Sequence, residues 1–223
     1  SEPFFIRRRT AEILPDLPPL TEEVFRIPIP ETHEDFYSIV NTRLSIEARK
    51  AGFLSDNTKV IALLTDALLT ASDPSLCTTL TASDPSLGTT LKVPLGVSPK
   101  FAVALARVRD AKARGQKILI FSRFKKTLHC FYPLLEADGL ECTWITGDST
   151  DRGDTVDAFQ AGDFDVCLIS TLAGNAGITL TRAERVLFLD HWWTDSVKEQ
   201  AIARAMRLTQ TKPVHVEHLL LAG

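Results

Sequence analysis

Several absences limit what this 223-residue chain can do on its own. It has no Gly-x-x-x-x-Gly-Lys-[Ser/Thr] segment, and no Asp-Glu pair follows a predicted strand. The loop that cradles nucleotide β- and γ-phosphates and the carboxylate that holds their magnesium ion are therefore both missing. There is also no signal peptide and no apolar run near 18 residues, so we expect a soluble protein.

Patterns that would indicate metal sites or disulfides are scarce as well. The four cysteines show no C-x-x-C spacing and no matched set of histidines. Cys142 and Cys167 lie in apolar, strand-like runs, where a reduced thiol behaves as a small hydrophobic side chain. His215 and His218 are three apart in a predicted strand and point to opposite faces. We therefore predict a reducing compartment and no metal site.

Methionine is almost absent and charge is unevenly spread. The chain starts at Ser1 and its one methionine is Met206, so we interpret it as a segment of a longer protein. The net charge is −3, yet nine residues between Lys100 and Lys126 are basic and only Asp110 is acidic. That window favours either a phosphate-facing surface or a solvated amphipathic helix, and the sequence does not separate the two.

The first 97 residues divide into three predicted parts. Residues 1–30 are rich in proline and predict an extended arm that lies across a neighbouring domain. Residues 31–69 predict an antiparallel pair of helices, because a helical run stops at Gly52 and a second one follows. Residues 70–97 hold a tandem repeat of eleven residues, identical at ten positions. Two copies are too few for a solenoid, so we predict a repeat-containing surface insertion.

Residues 98–223 alternate between helical and strand-like runs, starting with the helix signal Ser98-Pro99. Continuous apolar strands between helices predict an α/β domain, with a parallel sheet covered by helices on both faces. The predicted strands are 117–122, 141–146, 166–170, 185–190 and 214–221. Ligands gather at the carboxyl ends of such strands, so the loops that follow strands are the informative ones.

Two features of this part suit phosphate binding. The predicted helix 195–207 places Gln200, Arg204 and Arg207 on one face, and guanidinium groups match phosphate oxygens. The same arrangement is also typical of a solvated face paired with acids such as Glu199. The glycine-rich loop 170–180 lets backbone N–H groups approach an anion, although a tight turn has the same composition.

Five segments, taken in order, resemble helicase motifs IV to VI of the second RecA-like lobe of the Swi/Snf family. This family comprises ATP-dependent DNA translocases within helicase superfamily 2. The segments are Ile120-Phe-Ser-Arg-Phe124, Thr146-Gly-Asp-Ser149, Ser170-Thr-Leu-Ala-Gly174 with Gly177-Ile-Thr-Leu180, Asp190-His-Trp-Trp193 and Gln200 to Gln210. Upstream, Pro3-Phe-Phe-Ile-Arg-Arg8 resembles the segment that leaves the first lobe. The resemblance covers most of the chain outside residues 70–97.

The resemblance implies a RecA-like fold and a role for each motif. Arg204 and Arg207 would face ATP bound on the other lobe, with Arg207 as the arginine finger and Gln200 in support. The implied nucleotide-binding positions are Gly177, Gln200, Arg204 and Arg207. The implied DNA-binding positions are Ser122, Arg123, Gly147, Ser170, Thr171, Ala173, Gly174, Asn175 and Trp193.

The resemblance also implies cofactors, partners and a place in the cell. ATP and Mg²⁺ would be held mainly by the first lobe. The partners would be that lobe, duplex DNA and a nucleosome or another protein, but no membrane. A eukaryotic protein of this family would be nuclear and a prokaryotic one cytoplasmic. Chromatin remodelling and DNA repair are the family's usual settings.

Two alternatives stay open. An RNA helicase lobe of the same superfamily shares the motifs, although the segment around Trp193 and the leading helices favour the Swi/Snf reading. A degenerate ATPase lobe that serves as a protein-interaction module is favoured by departures from the family pattern. These are Thr194-Asp195 in place of Asn-Pro, Asn175 and Thr209 in place of glycine, and Thr179 in place of asparagine.

Overall fold

The computed structural model describes residues 18–55, 57–77, 93–147, 151–170, 178–190, 195–207 and 209–222. The strands are β1 (Leu20–Pro28), β2 (Lys117–Ser122), β3 (Cys142–Ile145), β4 (Val166–Ser170), β5 (Ala183–Phe188) and β6 (Val214–Ala222). The helices are α1 (Glu31–Ser55), α2 (Asn57–Ser72), α3 (Pro99–Ala113), α4 (Lys125–Ala137), α5 (Arg152–Ala161) and α6 (Asp195–Ala205). A short 3-10 helix, Pro74–Leu76, follows α2.

The strands form one six-stranded sheet in the order β1-β6-β5-β2-β4-β3. Each neighbouring pair is parallel. Parallel neighbours need crossover connections. Helix α5 connects the neighbours β3 and β4, α6 connects β5 and β6, and α4 leads from β2 to β3 on the far side of β4. The predicted α/β architecture with a parallel sheet is therefore confirmed.

Helices cover the sheet on both faces, which gives two hydrophobic layers. Helices α3 and α4 pack on one face, through side chains such as Phe101 and Phe131, whose ring centroids are 5.0 Å apart. Helices α5 and α6 pack on the other face, through Phe159 and Ile202. Successive residues of the central strands alternate between the two layers, so β2 and β4 are buried on both sides.

Local sequence signals set the limits of α3, the helix that leads into the sheet. The hydroxyl of Ser98 accepts a hydrogen bond from the backbone N–H of Phe101 at 3.2 Å, and Pro99 occupies the first helical position. Past the other end, Gly115 adopts a φ of 66°, a left-handed conformation that glycine takes without strain. The chain then turns directly into β2.

Part of the predicted arm is a strand of the sheet. Residues 20–28 form β1, which pairs with β6 from Leu20 opposite Val214 to Pro28 opposite Ala222. The prolines excluded a long helix correctly, but nine residues between Pro19 and Ile29 remain free to pair with an open sheet edge. The rest of the arm, residues 1–17, lies outside the described residues.

The first repeat copy is packed structure up to Cys77, where a surface insertion was predicted. Helix α2 continues to Ser72, and Asp73 caps the following 3-10 helix by accepting a bond from the N–H of Ser75 at 2.9 Å. Cys77 is buried with Phe36, Tyr37 and Val40 of α1. The reason is tertiary, because α1 offers an apolar surface that the sequence of the repeat does not reveal. The second copy, Thr81–Leu91, lies outside the described residues, and the four-part division of the chain stays a prediction.

Candidate nucleotide and nucleic-acid sites

The predicted phosphate-binding face of α6 is arranged differently in the structure. The helix ends at Ala205, so Arg207 lies beyond it, in the turn that leads towards β6. Gln200 is exposed, whereas Arg204 is buried with a relative exposure of 9%. The three side chains therefore do not form one exposed helical face. Sequence spacing failed here because the chain leaves the helix two residues before Arg207.

The two arginines are still neighbours, beside the segment that follows the glycine-rich loop. The backbone carbonyl of Arg204 accepts a hydrogen bond from Leu180 N–H at 2.9 Å, and Arg207 Nη2 donates to the carbonyl of Ile178 at 3.3 Å. Burial, and next the charge of Arg207, lower the pKa of the Arg204 guanidinium. Among the residues that the structure describes, Arg207 forms no ion pair with an acid. Two close cations, one of them in no ion pair with a described acid, can attract an anion such as a phosphate.

Gln210 fixes the turn that carries Arg207. Its amide nitrogen donates to the carbonyls of Ala183 at 3.0 Å and Ala205 at 3.1 Å. Its amide oxygen accepts from the backbone N–H groups of Thr211 and Lys212, both at 3.0 Å. All four bonds join this buried side chain to the backbone. Gln210, the last residue of the segment Gln200 to Gln210, therefore has a structural role. Gln210 also places the end of α6 beside the start of β5.

Four predicted DNA-binding positions lie at the carboxyl edge of the sheet, three of them in or beside strand ends and the fourth, Arg123, directly after β2. Ser122 and Ser170 are the last residues of β2 and β4 and are register partners, and Gly147 follows the end of β3. Both serines are buried, at 0% and 1% exposure. The Ser122 hydroxyl donates to Asp190 and accepts from Phe124 N–H at 3.0 Å, so it supports the loop from inside. The Ser170 hydroxyl has no hydrogen-bond partner among the described residues.

Arg123 is the predicted DNA contact whose surroundings best suit a phosphate. It follows β2 directly, and its backbone N–H donates to the carboxylate of Asp190 at 2.8 Å. Its guanidinium lies over the ring of Phe124, 5.7 Å from the ring centroid. Within the described parts of the chain, its buried Nη1 atom has no hydrogen-bond partner. A guanidinium with an unused N–H donor at the carboxyl edge can donate a hydrogen bond to a phosphate oxygen.

The two candidate sites lie at opposite ends of the strands, one near their amino ends and the other at their carboxyl ends. Arg204 and Arg207 lie near the amino end of β5, where Gln210 bonds Ala183. Ser122 and Arg123 lie at the carboxyl edge, where they meet Asp190 beyond the end of β5. A strand rises about 3.3 Å per residue, so β5 separates the two sites by roughly 17 Å. They can therefore serve two different partners.

The basic window between Lys100 and Lys126 is largely neutralised by ion pairs. Five of its nine basic residues pair with acids: Arg107 with Glu217, Arg109 with Asp138, Arg114 with Asp110, and both Lys112 and Lys117 with Asp165. Lys100 is buried at 3% exposure, and burial lowers its pKa to about 8. Such ion pairs contribute little stability, but they reduce the local positive potential. The alternative of a solvated, ion-paired surface therefore describes most of this window, and Arg123 is not one of its five paired residues.

The remaining site positions fall outside the described residues and stay predictions. They are Thr171, Ala173, Gly174, Asn175, Gly177 and Trp193. In the described part of the chain, no group of three or more His, Cys, Asp or Glu side chains could hold a metal ion. No helix of that part is both long and apolar enough to cross a membrane.

Asp190 has a structural role that the sequence analysis did not predict. It is buried at 2% exposure and accepts hydrogen bonds from residues as distant in sequence as Ser72, at 2.7 Å. Nothing in the spacing of the sequence connects these two positions. The one available signal was a charged residue directly after an apolar strand, where parallel sheets collect polar groups.

Comparison with known proteins supports the resemblance of the motifs. A family model, the helicase conserved C-terminal domain, matches residues 100–209. DNA repair protein RAD5 from Cryptococcus neoformans is 32% identical over 140 residues, which are 59% of this chain and 12% of that protein. Protein CHROMATIN REMODELING 24 from Arabidopsis thaliana is 32% identical over 130 residues, which are 57% of this chain and 12% of that protein. The chain thus spans about an eighth of the length of either relative.

A solved structure supports the fold. The Sulfolobus solfataricus SWI2/SNF2 ATPase core in complex with dsDNA matches with a TM-score of 0.66 and 22% sequence identity. The match covers 92% of this chain and 41% of that chain. At this identity the likeness is one of fold alone, and it confirms the predicted RecA-like architecture.

Proposed function

Because the chain belongs to the Swi/Snf family of superfamily 2 and carries that family's C-terminal lobe, we propose that it is half of an ATP-dependent translocase on duplex DNA. In this function it supplies arginines to a nucleotide held by a separate lobe and grips DNA through phosphates. The observation that carries the proposal is the pair of opposite cationic sites, Arg207 near the amino end of β5 and Arg123 at the carboxyl edge.

Arg207 is our candidate for the arginine finger. It forms no ion pair within the described residues and is half-buried. An anion held by a second lobe could therefore accept hydrogen bonds from its guanidinium. ATP with Mg²⁺ would supply the phosphoryl group whose transfer to water powers translocation. Arg207 would balance the charge that develops on that group, and Arg204, one turn earlier, would support it. Exposed Gln200 would contact the nucleotide or the other lobe.

Nucleotide and magnesium would be held mainly outside this chain. The sequence lacks the glycine-rich lysine loop and the paired acids that hold phosphate and metal. Arginines without that loop have no transition state to stabilise. The chain by itself should therefore hydrolyse no ATP.

DNA would lie along the carboxyl edge of the sheet. Arg123, Ser170 and the loop after β3 meet there, on neighbouring strands β2, β4 and β3. The predicted loop residues Thr171, Ala173, Gly174 and Asn175, and Trp193, would extend this surface. The contacts would go to phosphates and sugars, so binding would be indifferent to base sequence.

The biological setting of the proposal follows from its relatives. Their names refer to DNA repair and to chromatin remodelling. We propose one of these roles for this chain, in the nucleus of a eukaryotic cell, with the first lobe and a nucleosome or another protein as partners. An RNA helicase lobe would share the fold but would prefer an RNA duplex in the assays below.

A second candidate is a degenerate lobe that acts as a protein-interaction module. The observation that favours it is the burial of Arg204, which leaves that guanidinium little access to a nucleotide in this arrangement. Replacement of the usual glycine by Thr209, directly before the turn-forming Gln210, favours it too. In this case the chain would bind neither ATP nor DNA measurably.

DNA binding by the chain itself tests the proposal. Affinity for a random duplex should be near the non-specific range of roughly 10⁻⁴–10⁻⁶ M, because few phosphates are contacted. In anisotropy titrations across a salt series, Arg123→Ala should flatten the slope of log affinity against log salt by about one unit. Arg109→Ala is the matched control and should change the slope less, because Arg109 is already paired with Asp138.

Three outcomes separate the alternatives. A flattened slope for Arg123→Ala on duplex DNA supports the translocase lobe. The same result on duplex RNA, with weaker DNA binding, supports an RNA helicase lobe. If Arg123→Ala changes neither affinity nor slope, the lobe does not hold DNA by this edge.

A further inference from the structure

A buried carboxylate joins three parts of the fold at the carboxyl edge of the sheet. Asp190, two residues beyond β5, is 2% exposed. Its Oδ1 atom accepts a hydrogen bond from the hydroxyl of Ser72 at 2.7 Å. Its Oδ2 atom accepts from the hydroxyl of Ser122 and from the backbone N–H of Arg123 at 2.8 Å. Asp190 therefore links the end of α2 to the loop that carries Arg123.

The surroundings of Asp190 hold it in place without exposing it. Lys100 is buried beside it and donates from Nζ to the carbonyl of Leu189 at 2.9 Å. The Ser98 hydroxyl donates to the carbonyl of Ser72 at 2.9 Å. A buried charge is costly unless hydrogen bonds and a countercharge offset it, and apolar side chains would fill such a site at less cost. A satisfied buried network does, however, specify one geometry.

The geometry that this network specifies is that of residues 122–124. This loop is short, because β2 ends at Ser122 and α4 begins at Lys125. Phe124, the residue before α4, makes no side-chain capping bond to the helix. The carbonyl of Phe124 accepts from the first turn of α4, and Asp190 and Ser122 supply further hydrogen bonds to the loop. The Asp190 carboxylate therefore binds the backbone N–H of Arg123, the residue whose guanidinium lies over Phe124.

We propose that Asp190 is a positioning residue for DNA phosphate binding, which it controls by fixing the backbone of Arg123 from inside the sheet edge. The inference rests on the proposed function, because it assigns Asp190 a part in the same DNA contact. Asp190 does not touch DNA itself. Since Ser72 holds its other oxygen, the carboxylate also ties the position of Arg123 to the helical pair α1–α2.

The test is a double-mutant cycle on DNA binding by the 223-residue chain. Asp190→Asn keeps the size of the side chain but replaces one acceptor oxygen with a donor group. Arg123→Ala removes the phosphate contact, and a third variant combines both changes. Asp165→Asn is the matched control, because it removes one carboxylate charge from ion pairs with Lys112 and Lys117 without touching Arg123.

Each variant is titrated by anisotropy on one random duplex between 50 and 200 mM salt. Circular dichroism at the assay temperature gives the folded fraction. Each phosphate contact makes the plot of log affinity against log salt steeper by about 0.9. Between 50 and 200 mM salt, the wild-type affinity should therefore fall by a factor roughly 3.5 times larger than that of a variant that lacks one contact. We expect that difference for Asp190→Asn as for Arg123→Ala, and no further change in the double variant. Asp165→Asn should keep the wild-type slope.

The outcomes distinguish this inference from the proposed function. A wild-type slope for folded Asp190→Asn, or effects that add in the double variant, would overturn the positioning role while Arg123→Ala still flattens the slope. If Arg123→Ala changes nothing, the DNA-binding edge itself is wrong. Where Asp190→Asn is unfolded at the assay temperature, Ser122→Ala replaces it in the cycle, because it removes a hydroxyl that holds the same loop. A wild-type slope for folded Ser122→Ala overturns the inference equally.

Discussion

Replacing Gln210 should destabilise the whole lobe. This buried side chain forms four hydrogen bonds to backbone groups, two through its amide nitrogen and two through its oxygen. Gln210→Ala leaves the carbonyls of Ala183 and Ala205 without these donors, and both residues are buried. Thr211 and Lys212 are exposed, so water can replace the lost acceptor at their N–H groups.

The magnitude follows from the two buried carbonyls. A buried polar group that loses its partner costs about 1–3 kcal/mol, so the two carbonyls together predict a loss of about 2–6 kcal/mol in the free energy of unfolding. Domains of this size have a total stability of about 5–15 kcal/mol, so the loss is a large fraction of it. Gln210→Glu should cost at least as much, because a carboxylate cannot donate to either carbonyl.

Urea unfolding followed by circular dichroism measures this loss. Thr209→Ala is the matched control, since Thr209 is exposed and adjacent in sequence, and it should change stability by less than about 0.5 kcal/mol. A loss below about 1 kcal/mol for Gln210→Ala would refute the reasoning that Gln210 anchors the turn. The residue would then belong with Arg207 as a contact for a ligand or a second lobe.

Four further predictions concern other parts of the chain. The unfolded state keeps the Lys100 proton up to an ordinary pKa of 10.5 while the folded state loses it near 8, so wild-type stability should rise relative to Lys100→Met by about 2 kcal/mol from pH 8 to pH 10. Parallel urea titrations check this, and no rise would contradict the burial argument. In a protein that joins this lobe to an ATP-binding lobe, Arg207→Ala should lower ATP turnover by about 10³–10⁵-fold, and a loss under tenfold would move the finger role to Arg204. Deleting Thr81–Leu91 should leave the melting temperature nearly unchanged, since loop closure entropy varies slowly with length. Cys77→Gly, the one difference between the repeat copies, should cost about 1–2 kcal/mol because Cys77 is buried against α1; equal melting curves would show that this copy is not packed.

The sequence by itself determined the local elements and their order. Continuous apolar runs predicted β2 and β4 with the bounds that the structure has, because strands buried on both faces consist mainly of apolar residues. Capping at Ser98 and the turn at Gly115 fixed the limits of α3 for equally local reasons. The alternation of these elements required a parallel sheet, and the ordered motifs indicated the Swi/Snf family.

Tertiary structure alone decided which residues share a site. Residues 20–28 gave only weak local signals, because an edge strand is defined by the partner it pairs with, here β6. Helical periodicity placed Arg207 beside Gln200, but the bonds of Gln210 to Ala183 and Ala205 end the helix first. Apart from Asp110, the basic window gave no sign of its acidic partners Asp138, Asp165 and Glu217, which are distant in sequence. Asp190 meets Ser72 across 118 positions of sequence. No segment of the sequence reveals this contact, because it forms only when α2 packs beside the carboxyl ends of the strands in the folded chain.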